Sequence, residues 1–275
     1  MEDTQNTNEN VQETVGEVSI EAPRMTFLAL ITRTISALAG GIAGTLVLLI
    51  IYIVSGTTVA PVLMPQSEVT EVSPLFIFVL MAMIFASTLI SNLVAPLLIS
   101  FTQRDKYKRI TTTLFQVFII NVVIFLILTP LYFFSSQISY QFTSYAAGLE
   151  IAFGVLASAL ILEIISNYKY ALLGVYSVIF AIVAGLALNI LVYQFTGNAT
   201  ILLFIALPVL WGAVGFTYGI FIMLYHWIVE TWGTDYLATT QEYSKDYGVE
   251  EQEIETMVDI APPDDKEGVD FLRKQ

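Results

Sequence analysis

The sequence predicts an all-α integral membrane protein, a polytopic bundle of six transmembrane helices with both termini in the cytoplasm. Three observations carry this reading. The chain of 275 residues is 56% hydrophobic and 13% charged, with a mean hydropathy of +0.74, which is too apolar for one soluble core of that length. Six runs are continuously apolar over the roughly 20 residues that a helix needs to cross about 30 Å of hydrocarbon. All eleven Lys and Arg residues fall in segments that alternate with loops holding none.

The spans are predicted at 34–54, 75–101, 110–134, 146–166, 170–195 and 201–229. Continuous apolarity makes them helices, because barrel strands would alternate over segments of about ten residues. The run 25–33 is apolar but ends in Arg33, so it is expected to lie in the interface, with the Arg33 stem reaching back toward the headgroups. Spans one and six carry small-residue faces, Gly40-x-x-x-Gly44 and Gly215-x-x-x-Gly219, which let helix backbones approach closely. Packing of these faces within one bundle is favoured over packing between protomers, although a homo-oligomer would use the same surface. Pro96, Pro130 and Pro208 each free a backbone carbonyl inside a span.

The basic residues set the orientation. Arg24, Arg33, the cluster Arg104, Lys106, Lys108 and Arg109, then Lys169 and Lys245, belong to one side, while the only charges of the opposite loops are Glu68 and Glu71. The basic side is assigned to the cytoplasm of a plasma (inner) membrane. The 104–109 cluster is a topology anchor that binds anionic headgroups at about 1 kcal/mol per base, and nothing in it asks for nucleic acid.

The net charge of −13 divides unevenly. Residues 1–24 carry −5, residues 230–275 carry −9, and the body between them carries +1. The N-terminal tail, rich in Glu, Thr, Asn and Gln, has the composition of a disordered segment, and its acidity is unlike the basic start of a secretory signal. In the C-terminal tail, Val249, Ile254, Met257 and Val258 alternate with Glu250, Glu251, Glu253 and Glu255 ahead of Pro262 and Pro263. That pattern suggests a short acidic amphipathic helix, marginal alone and able to fold on a partner, with a solvated tail held off the anionic leaflet by its own charge as the favoured alternative.

Candidate functional residues are the polar groups inside the spans. Glu150 is the foremost, since a carboxylate in hydrocarbon is costly; its interfacial reading is favoured over a deep one. Asn92, Gln116, Asn121 and Asn189 each need a hydrogen-bond partner that lipid does not offer, and interhelical pairing is favoured over substrate lining. Glu163 reads as an end charge near Lys169. His226 and Glu230 share a helix face but make no metal site, and Asn198-Ala199-Thr200 is a weak glycosylation acceptor. With no Cys and no nucleophile elbow, phosphate loop or zinc-protease helix, no cofactor is expected and an enzyme is disfavoured. The expected function is a non-catalytic membrane subunit or scaffold whose acidic tails bind cytoplasmic partners. The alternative is a small transporter or channel with a polar site around Glu150.

Overall fold

The computed structural model describes residues 25–63, 74–103, 107, 109–138, 140–166, 170–197 and 199–232. Both acidic tails, and the bases Arg104, Lys106, Lys108 and Lys169, lie outside them. The described chain is helical: α1 (Phe27–Leu63), α2 (Pro74–Thr102), α3 (Ile110–Ser136), α4 (Tyr140–Ile161, continued by a π turn at Leu162–Ser166), α5 (Ala171–Thr196) and α6 (Ala199–Trp232). Six helices are long and apolar enough to cross a membrane.

Three boundaries differ from expectation, and one is the end of α1, which runs to Leu63 and not to 54. The segment 25–33 is not a separate interfacial piece: α1 starts at Phe27, where the Thr26 hydroxyl accepts a hydrogen bond from the Ala29 amide (3.2 Å) and closes the first turn. Met25 is itself buried, in a small apolar cluster with Leu30, Leu173, Tyr218, Ile222 and Tyr225. At the other end of the molecule α4 begins at Tyr140, before the expected 146, so the connection from α3 is a short turn. α5 ends at Gly197, whose left-handed φ of 62° lets its amide reach back to the Tyr193 carbonyl at 2.8 Å.

Consecutive helices pack on one another around a closed ring, because α6 returns to pack along α1, and α4 also touches α2 and α6. The end of the ring that holds Met25, Tyr107, Arg109 and Tyr170 is called the basic end below.

The glycine faces explain how closely the helices meet. A Cβ on Gly40 would fall 2.3 Å from the Ala95 Cα of α2, and one on Gly44 would fall 2.5 Å from the Ser87 carbonyl oxygen. Gly215 faces Ala37 and the backbone of Thr34, and Gly219 faces Leu30, so these two glycines of α6 lie against α1. Lipid gives little driving force for helix association, so contacts of this closeness supply dispersion energy that larger residues would forfeit.

The α1–α6 seam also resolves the cost of a proline. Pro208 has no amide hydrogen, which leaves the Phe204 carbonyl of α6 without its intrahelical donor. Gly41 lies against Pro208, a Cβ there falling 2.5 Å from the proline Cα, and one turn later Thr45 Oγ1 of α1 donates to the Phe204 carbonyl at 2.8 Å. The substitution Thr45→Val keeps the side-chain shape and strands that carbonyl. It is expected to destabilise the protein by about 1–3 kcal/mol, read as a lower melting temperature in detergent. Gly148→Ala, at a position with open space around it, should give no such fall. An unchanged melting temperature for Thr45→Val would show that the carbonyl is satisfied some other way.

Candidate functional site

The polar groups of the interior occur at three depths along one helix, α4. Glu150, Gly154 and Ser158 recur every fourth residue and so share a face. Glu163 belongs to the neighbouring row of the same buried face, four residues beyond the buried Ala159, where the π turn begins. By the helical rise, Glu150 and Ser158 are roughly 12 Å apart along the axis, with Glu163 about 7 Å further on.

At the end opposite the basic loop, Glu150 is 2% exposed, enclosed by the bundle ten residues into α4. Its Oε2 accepts a hydrogen bond from the hydroxyl of Tyr132 on α3 (2.6 Å), itself fully buried. A carboxyl and a phenol thus satisfy one another across the α3–α4 hairpin, away from water.

At mid-depth four helices share one network. Trp211 Nε1 of α6 donates to Asn92 Oδ1 of α2 (2.9 Å), and Asn92 Nδ2 donates to Asn121 Oδ1 of α3 (2.7 Å). Asn121 Nδ2 in turn donates to Ser158 Oγ of α4 (2.9 Å) and to the Val117 carbonyl one turn back on its own helix (2.8 Å). Gly154 makes the room: a Cβ there would come within 3.0 Å of both amides and 2.7 Å of Thr88.

At the basic end, Arg33 and Glu163 form an ion pair with both side chains fully buried. Arg33 therefore does not reach outward to headgroups, and Glu163 is not a solvated end charge. Arg33 Nη2 donates to Glu163 Oε1, and its Nη1 donates to Gln103 Oε1 (2.8 Å) and to the Tyr107 hydroxyl. Tyr107 donates to Glu163 Oε1 (3.2 Å), so one phenol touches both charges. The guanidinium also lies over the Tyr218 ring of α6, 3.8 Å from its centroid, a cation–π contact that gains from desolvation. Burial pushes the Tyr107 phenol above its ordinary pKa, so it stays a neutral donor at physiological pH. Gly174 of α5 completes the pocket, since a Cβ there would meet the Glu163 Cβ at 2.7 Å.

The remaining sequence candidates do not join these groups. Asn189 Nδ2 bonds back to the Gly185 carbonyl of its own helix (3.0 Å), its Oδ1 having no hydrogen-bond partner. Gln116 is half-buried with Oε1 unpartnered. His226 Nε2 meets Glu230 Oε1 at 3.0 Å within α6, and no group of three metal-ligating residues occurs among the described residues. Arg109 is exposed; the other bases of its cluster and Asn198 are outside the described residues. Glu150, Asn121 and Asn189 thus stand apart, each bonded to a different neighbour.

Sequence reasoning singled out Glu150 and the amides but missed Tyr132, Ser158, Trp211, Tyr107 and the pairing of Arg33 with Glu163. One signal pointed to the pair: Arg33 and Glu163 are opposite charges inside otherwise apolar runs on the same predicted side, and a charge at membrane depth calls for a named partner. Comparison with protein-family models, curated proteins and solved structures gives no match to this chain.

Removing one member of a buried ion pair leaves the other charge unpaired. Glu163→Gln is therefore expected to cost about 3–5 kcal/mol. In a double-mutant cycle, Arg33→Gln with Glu163→Gln should cost less than the two single substitutions together. Additive losses, measured by unfolding in detergent, would mean that the two residues act independently. At the central network, Asn121→Leu removes two interhelical bonds at about 0.6 kcal/mol each, so its loss should be clearly smaller than that of Glu163→Gln.

Proposed function

We propose that this protein is a non-catalytic, multi-pass membrane subunit or scaffold, whose helical bundle is a rigid platform and whose acidic tails engage partners in the cytoplasm. The observation that carries this reading is the closure of the interior polar groups on one another. Asn92, Asn121, Ser158 and Trp211 bond across four helices, Glu150 is taken by Tyr132, and Arg33 by Glu163. A substrate route needs polar groups that face a shared, water-accessible space. The most polar of these residues instead serve as interhelical ties.

The acidity outside the bundle supports the second half of the reading. The two tails together hold 19 of the 24 acidic residues, and like charge of that density keeps a tail off an anionic leaflet and available to basic surfaces. The one-sided bases support an orientation with the basic end and both tails cytoplasmic, in a plasma (inner) membrane.

Because the chain has no Cys, single cysteines report orientation directly. A membrane-impermeant thiol reagent on intact cells should label Ser67→Cys but label Lys106→Cys only after permeabilisation; the reverse pattern would overturn the orientation. Deleting 233–275 should abolish specific co-purification of partners while insertion is retained, and undiminished capture would overturn the tail's role. In proteoliposomes, proton and ion flux should not exceed that of empty vesicles. A flux abolished by Glu150→Gln would overturn the scaffold reading in favour of transport.

A further inference from the structure

α5 and α6 meet closely where Gly185 lies against Leu210 and Ala213, and beside that contact they leave a groove of about 400 Å³. Small residues, Ala184, Ala187 and Ala213, alternate there with the larger Leu188, Phe216 and Ile220, whose side chains are partly exposed. Thr217 has the one polar side chain of the lining, and its hydroxyl is already used, on the Ala213 carbonyl at 2.6 Å and the Ser177 carbonyl at 3.3 Å. An occupant therefore finds no hydrogen-bond donor in the groove. Phe180 and Phe221, the lining residues nearest the basic end, pack ring against ring with centroids 5.7 Å apart and close the groove on that side.

We propose that this groove is a binding site for one lipid acyl chain, straight and unbranched, from the leaflet opposite the basic end.

The dimensions argue for a single chain. By the helical rise, Phe180 lies roughly 5 Å to the basic side of the middle of α5 and Leu191 roughly 11 Å to the other side. The groove thus runs from near the midplane outward for roughly 16 Å, about half of a hydrocarbon core of about 30 Å. A transmembrane helix of a partner would cross both leaflets, and this groove serves one. Ten residues line it, against the roughly 20–30 a side of a stable protein interface. Because lipid already surrounds the helices, a bound chain differs from its neighbours by fit: between two ridges and a small-residue floor it gains dispersion contacts that a chain on a convex helix lacks. The lining stretch of α6 lies beyond Pro208 and α5 has no proline, so both walls are regular and a chain bent by a cis double bond loses part of that contact. From Tyr170 to Val229 the sequence holds no Asp, Glu, Lys or Arg, so the headgroup beyond Leu191 meets no charge and recognition lies in the chain. The site depends on the helices crossing a bilayer and not on what the tails bind, so either proposal can fail alone.

Photolabelling of the full chain in phosphatidylcholine liposomes tests this, with a diazirine placed on a saturated chain either at the methyl end or beside the ester. The methyl-end probe should label Phe180 and Phe221, and the ester-side probe Leu191, each several-fold above Val123 and Pro130, which are exposed at comparable depths on α3. Ala187→Phe, at an exposed position of the groove, should lower the groove labelling to the α3 level and leave α3 labelling unchanged. If that variant does not fold, Ala184→Leu should give the same loss. Unlabelled phosphatidylcholine with saturated chains should compete several-fold better than one with cis-unsaturated chains. The site is overturned by groove labelling no higher than that of α3, which is ordinary lipid contact, or by labelling that survives the filled groove. Reversed order of the two probes would overturn the leaflet, and equal competition by the two lipids would overturn the preference for a straight chain. Stronger competition by a sterol would replace the acyl chain with a rigid ring system. Rapid disulfide dimerisation of Ala187→Cys, in a chain with no other Cys, would put a second copy in its place.

Discussion

The structure is organised by the need to neutralise Arg33. A guanidinium does not shed its proton, so an arginine wrapped in protein at the edge of an apolar layer has to be met by a carboxylate and by further acceptors, here at its two terminal nitrogens. Glu163 supplies the charge, Gln103 and the Tyr107 hydroxyl accept two further bonds, and the face of Tyr218 covers the plane. These residues come from the α2–α3 connection, α4 and α6, so holding one side chain of α1 fixes three other parts of the chain. Local irregularities follow from the same demand. The π turn begins where Glu163 is bound, and Gly174 leaves the space into which its side chain fits. Such a pair adds little net stability compared with apolar residues of equal volume, because both ions have been taken out of water. What it provides is a single allowed arrangement, since sliding or rotating α1 against α4 would strand a charge.

Elsewhere the ring is held by closeness and by hydrogen bonds, as lipid-facing helices must be. The α1–α6 seam shows both at once. Gly41 lets Pro208 come against the backbone of α1, and Thr45 then replaces the donor that the proline lacks. A glycine, a proline and a threonine that each disfavour a regular helix in isolation become mutually necessary when the two helices lie together. The central network does the same for α2, α3, α4 and α6, with Gly154 as the residue that lets the amides meet.

Much of this was legible in the sequence, for reasons that mark where legibility stops. Length and apolarity are local, so six helices followed from counting, and small-residue faces followed from spacing along one helix. The start of α1 was read late because Arg33 looked like a natural boundary; a charge looks like an end until its partner is known, and Glu163 lies 130 residues away. The partner of Glu150 was hidden for the same reason, being a tyrosine on the neighbouring helix. The partner of Glu163 was beyond the reach of periodicity. A regular repeat puts Glu163 on the buried face, in the row of Ile151, Val155 and Ala159, but says nothing of an arginine on α1.

The same geometry bears on how the bundle works. Transport through a helical bundle asks its polar residues to exchange partners, which requires that each be reachable by water or substrate in some state. Here the amide network lies across the middle of the ring and binds four helices, with Trp211 filling the space beside it, fully buried. Any route along the axis would have to dissolve the contacts that define the fold at that depth. The basic end is different, since its polar group is built around a charged pair at the start of the π turn. The bundle is thus tied at its centre by neutral hydrogen bonds, which tolerate the loss of one partner, and at its basic end by two buried charges, which do not.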